Sequence, residues 1–108
     1  MLLISEAWWP AKSSADLGKA YLEAMSKYPD DLSLGKPIVR AAVWTEEDSM
    51  KSVSINSIAP GKVKESMDVA YNRLLLLSSM VEGYKYDLHI AYDLAEAMPL
   101  VGLAAPKE

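Results

Sequence analysis

The stretch "YKYDLHIAYDL", residues 84–94, alternates almost without a break. Tyr84, Tyr86, Leu88, Ile90 and Tyr92 share one parity, while Lys85, Asp87, His89 and Asp93 share the other. Successive side chains of a strand point to opposite faces, so this segment reads as a strand with one apolar and one charged face. The charged face carries His89, the only histidine in the chain. Whether that face is merely solvated or lines a site is the question the rest of the sequence has to answer.

Upstream of this strand lies the clearest helical pattern. Val63, Met67, Ala70, Tyr71, Leu74, Leu77 and Val81 recur every three or four residues after "APG", and Gly83 supplies a C-terminal stop. Before that helix, "IVRAAVW" and "SVSINSI" read as two strands joined through "TEEDSMK", a link short enough for a hairpin. At the start, "LLISEAWW" is a short apolar run ended by Pro10. "SSADLGKAYLEAMSKY" follows, with serines suited to an N-cap, Asp16 in the first turn and an apolar stripe of Leu17, Tyr21, Ala24, Met25 and Tyr28. Gly18 weakens this helix by about 1 kcal/mol relative to alanine, which suggests close packing there. Pro29 ends it, and "PDDLSLGKP" is a loop. After the last strand, Asp93 and Glu96 form the pattern of a capping box for one short turn, which Pro99 ends; "LVGL" reads as an added short strand.

The order strand, helix, strand, strand, helix, strand is the ferredoxin-like βαββαβ plan, an α+β fold. Right-handed crossovers place strands one and three in the centre, with both helices on one face of an antiparallel sheet. The 108 residues are read as a single domain, with a core over residues 2–93 and a turn and tail over 94–108. By hydrophobicity, Val39, Ala41, Val43, Val53, Ile55, Tyr86 and Leu88 are assigned to the helix side, with Leu3, Ser5 and Ala7. The other face then receives Ile4, Glu6, Trp8, Arg40, Trp44, Ser54, Asn56, Asp87 and His89. Two tryptophans on an open sheet call for a cover.

In element order and facing pattern, residues 2–93 resemble the dimeric α/β-barrel superfamily, in which two ferredoxin-like subunits pack sheet against sheet. The resemblance implies a homodimer with a small organic ligand, aromatic or anionic, held between the sheets. "PLVGL" is apolar and lies beyond the sixth element, so the tail over 94–108 is expected at the dimer interface. If the protein is an enzyme of that group, cofactor-independent oxygen chemistry of the monooxygenase type, or an isomerase-like proton transfer, is the expectation. His89 and Glu6 are then the acid/base candidates. Arg40, Asn56 and Asp87 are polar anchors, and Trp8 and Trp44 are walls. The alternative is a non-catalytic interaction or ligand-sensing module whose polar face is simply the seam between subunits.

Composition narrows the partners. The net charge of −4 offers no electrostatic attraction to nucleic acid or an anionic membrane, and "SVSINSI" lacks the aromatics on which RNA-recognition domains stack bases. With no cysteine, the Cys-x-x-Cys of metal chaperones is absent. "TEEDS" reads as a solvated loop, "APGKVK" lacks the Walker spacing and no Gly-x-Ser-x-Gly occurs, so neither a metal nor a cofactor is expected. "MLLISEAWWP" has no basic region and meets a glutamate after five residues, so a cytoplasmic location is the expectation.

Overall fold

The computed structural model describes residues 1–107. Its elements run β1 (Leu2–Trp9), α1 (Ser14–Lys27), β2 (Pro37–Thr45), β3 (Met50–Ser57), α2 (Val63–Met80), β4 (Lys85–Ala91) and the four-residue α3 (Leu94–Ala97). Single 3-10 turns at Ala11–Ser13 and Met98–Val101 precede α1 and follow α3. The four strands form one antiparallel sheet in the order β2-β3-β1-β4, with β1 and β3 in the centre. No helix among the described residues is long and apolar enough to cross a membrane.

The core is small and built on alanine. Ala20 and Ala24 of α1 meet Leu74 and Leu77 of α2, with Val81 beyond it, above Ala7 and Trp9 of β1. Small residues let the helices come close to the sheet, whereas a bulky side chain at Ala20 or Ala24 would hold them off. Tyr84, Tyr86 and Leu88 pack against this cluster from β4 and the residue before it. Over the other edge of the sheet the cover gives out: Ala41 through Thr45 of β2 are exposed.

Several local devices differ from expectation. The serines before α1 do not cap it through their side chains. Buried Ser13 instead donates its Oγ–H to the carbonyl of Glu82 at 3.1 Å, and Ser14 Oγ accepts from Trp9 Nε1 at 3.1 Å. Both hydroxyls tie the start of α1 to neighbouring elements, a use that outweighs the cap because it satisfies polar groups in a packed setting. Gly18 is not a point of close packing, since a Cβ there would meet nothing within 4 Å. Gly35 is such a point: its φ is +144° and an added Cβ would lie 1.9 Å from the carbonyl oxygen of Ser57. "LVGL" forms no strand; Met98–Val101 is a 3-10 turn ended by Gly102 at φ 76°. The Asp93–Glu96 capping box is present in both directions, with Glu96 N to Asp93 Oδ1 at 2.9 Å and Asp93 N to Glu96 Oε1 at 3.0 Å.

Candidate functional site

Register decides which side chains meet. β1 pairs with β4 through Ile4 opposite His89, Glu6 opposite Asp87 and Trp8 opposite Lys85. It pairs with β3 through Ile4 opposite Ile55, Glu6 opposite Val53 and Trp8 opposite Lys51. Trp44 of β2 lies opposite Lys51 in turn. These residues share the face away from the helices, since Leu3, Ala7 and Trp9, of the other parity, are buried under them. The open face therefore holds His89, Glu6, Trp8, Trp44 and Asp87 as the alternation requires.

Three of its side chains are joined through Glu6. Glu6 Oε1 lies 3.0 Å from His89 Nε2, and Glu6 Oε2 accepts from Lys51 Nζ at 2.8 Å. The Lys51 ammonium also sits 3.6 Å above the centre of the Trp8 ring. The hydrogen bond from Lys51 holds the Glu6 carboxyl below its ordinary range; burial opposes that, and the Lys51 charge and His89 reinforce it. Lys51 is only 8% exposed, an uncommon degree of burial for lysine, made tolerable by the carboxylate and the indole around it. Sequence reasoning missed Lys51 because the third strand was begun at Ser52. It starts at Met50, and Lys51 continues the parity of Val53 and Ile55.

Three residues expected on this face are elsewhere. Asn56 lies opposite Leu3, and Ser54 opposite Ser5, so both belong to the helix side. Val53 and Ile55 correspondingly lie on the open face, with Glu6 and Ile4. In β2, Val39 pairs with Ile55 and Ala42 with Val53, so Arg40 and Ala41 together face the single residue Ser54. That is a β-bulge, and one extra residue exchanges the faces on either side of it. Val39 is thereby turned to the open face and Arg40 to the helix side, where its Nη2 donates to Asp30 Oδ2 at 2.8 Å. The hydrophobicity of single strands misassigned these faces because β3 carries its valine and isoleucine outward and its serines inward.

The inward serines have a physical counterpart: a cleft of about 550 Å³ between the helices and the sheet. Its inner end is closed by Ala7, Trp9, Ala24, Leu74 and Leu77, which are buried. Its floor carries Ser5, Ser52, Ser54 and Asn56, and Leu17, Tyr21 and Met25 form the roof from α1. Gly18 lies on the same rim, which accounts for the open space above it. Arg40, Asp30 and Arg73 stand at the outer end. Burial raises the Tyr84 hydroxyl well above the usual phenol range, so this lining tyrosine stays neutral. His89 and Glu6 line neither this cleft nor the smaller one beside it.

No known protein family matches the chain. No curated protein sequence matches it either. Among solved structures, one described as "De novo designed protein Foldit4" is 9% identical, with 85% of this chain and 100% of that chain covered and a TM-score of 0.44. That likeness carries no argument about function.

The two surfaces differ in what they can do. On the open face, a histidine oriented by a carboxylate is the arrangement of a general base or acid, but within one chain it has no enclosed space around it. The cleft is a half-open concave space with hydrogen-bonding groups, and no histidine lines it.

Proposed function

We propose that the protein is a ferredoxin-like homodimer that binds a small, largely apolar organic molecule in the cleft between its helices and its sheet. The observation that carries this reading is the cleft itself. Ligand sites are typically concave, apolar in most of their lining and furnished with a few polar groups that fix orientation, with volumes of roughly 300–1,000 Å³. A space of about 550 Å³ with leucines and aromatics on one side and Ser5, Ser52, Ser54 and Asn56 on the other fits that description. Binding is better supported than proton-transfer catalysis, because the chain's one histidine points away from this space.

Dimerisation is supported by the open face. Leu2, Ile4, Trp8, Val39, Trp44, Val53 and Ile55 share it, and Leu100, Val101 and Leu103 of the tail are exposed. Sheet-to-sheet pairing in the manner of the dimeric α/β barrels would cover this surface, and a stable interface of that kind buries roughly 1,200–2,000 Å².

The test is a thermal-shift screen of small aromatic and aliphatic compounds, since a ligand present at 100 times its Kd stabilises by about 2.7 kcal/mol. Hits should disappear in Ser54→Phe, which fills the floor of the cleft, while the circular dichroism spectrum is unchanged. Hits that survive this substitution would place binding elsewhere. Light scattering that reports a monomer at micromolar concentration would end the dimer reading.

A second reading is favoured by one contact, His89 to Glu6 at 3.0 Å. In a sheet-to-sheet dimer this pair would gain the enclosure it lacks in one chain and act as an acid/base site. His89→Ala and Glu6→Gln would then impair ligand binding or turnover and leave the dimer intact. Loss of the dimer would make the pair part of the seam.

A further inference from the structure

Resting on the binding reading above, the geometry points, we infer, to the class of ligand: an amphipathic carboxylate, its apolar body inside the cleft and its carboxylate on Arg40 at the outer end. The fold already contains a carboxylate in that place. Asp30 bridges two guanidiniums, with Oδ2 accepting from Arg40 Nη2 at 2.8 Å and Oδ1 from Arg73 Nη2 at 3.1 Å. Two positive groups against one negative leave an excess of one positive charge at the rim of an apolar space. The neighbouring acid, Asp31, pairs with neither guanidinium. Its Oδ1 is turned to Ser33, accepting from the backbone N at 3.0 Å and from Oγ at 2.6 Å.

The two arginines are not equivalent. Arg73 is fixed from two directions, because its Nε also donates to the Tyr28 carbonyl at 2.7 Å and its side chain is 21% exposed. Arg40 stands on an edge strand, holds Asp30 through Nη2 and keeps half of its side chain in solvent. The bulge at Arg40 and Ala41 is what aims it at the cleft. A guanidinium carries five N–H donors in a planar fork, so Arg40 can receive a second carboxylate while Asp30 remains with Arg73. A bulge that redirects one side chain is a recurrent device next to binding sites. The hydroxyls of Ser52 and Ser54 lie between this charge and the apolar inner end, suited to orient a ligand's polar atoms along the floor.

The experiment compares 1-naphthaleneacetic acid with 1-naphthaleneacetamide, two probes of the same shape that differ in charge, by isothermal titration calorimetry on the full chain. The acid should bind about tenfold or more tighter than the amide. In Arg40→Gln the acid should fall to the affinity of the amide, and unchanged amide binding shows that the variant is folded. Asp30→Asn, which removes the negative charge the two guanidiniums share, should tighten the acid and leave the amide alone. Equal affinities in the unsubstituted protein, or an acid preference that survives Arg40→Gln, would overturn the carboxylate inference and leave the binding reading standing. Neither probe binding at millimolar concentration would overturn the binding reading and the carboxylate inference with it.

Discussion

Glu6 and His89 meet on a diagonal between β1 and β4, Oε1 to Nε2 at 3.0 Å, although each faces a different residue directly across the ladder. The same carboxylate holds Lys51 from β3 with its second oxygen, so one side chain links three strands on the open face. Its lowered pKa makes the link dependent on pH. A carboxyl whose folded value lies below its unfolded value contributes stability above the ordinary value of 4.5 and loses it as pH falls through the folded value. Urea unfolding from neutrality into acid should therefore show a loss of stability below about pH 4.5 that is reduced in Glu6→Gln. Identical acid profiles for the two proteins would mean that the pairing is too solvated to matter.

Lys51 should be worth more than a surface lysine. Its stem is buried and its ammonium lies 3.6 Å over the Trp8 ring. Lys51→Ala is expected to cost about 1–2 kcal/mol through lost stem packing and the lost cation–π contact. Lys51→Met, which keeps the stem, should cost less. Denaturant midpoints rank the two, and an equal cost would show that the stem contributes nothing.

The glycines of α1 and of the loop before β2 should respond in opposite directions. Gly18→Ala meets open space at an ordinary helical φ and should stabilise the protein by about 0.5–1 kcal/mol. Gly35→Ala must clear the Ser57 carbonyl from a strained φ of +144°, and should cost about 2 kcal/mol or more. Differential melting temperatures decide both. A destabilised Gly18→Ala would mean that α1 sits closer to the sheet than the cleft allows.

The tail bears on assembly. Leu100 and Val101 are each 71% exposed, so they contribute little to packing within one chain. Truncation after Met98 should leave the melting temperature of a dilute sample nearly unchanged and raise the dimer dissociation constant by about tenfold or more. A truncated chain that associates as tightly as the full one would give the tail another role.

Some of this could be read from the residues in order. β4 alternates, and its faces are as its alternation states, because each side chain's direction depends only on its place in an extended backbone. The α2 stripe and the Asp93–Glu96 box are equally local, since their partners lie three or four residues away. The placement of Arg40, Asn56 and Ser54 was not legible in this way. Their faces depend on a bulge that exists only because β2 must match β3, and on β3 aligning Val53 with Glu6 rather than with Ala7. Lys51 became part of the site because pairing with Trp8 carried the strand two residues earlier than its own hydrophobicity suggested. The cleft depends on where two helices rest over a sheet, and no window of sequence contains that distance. Sequence by itself determined the kinds of element and the facing of the one strand that repeats cleanly. Tertiary structure decided register, and with it which polar groups share a space, because register is set by contacts between residues distant along the chain.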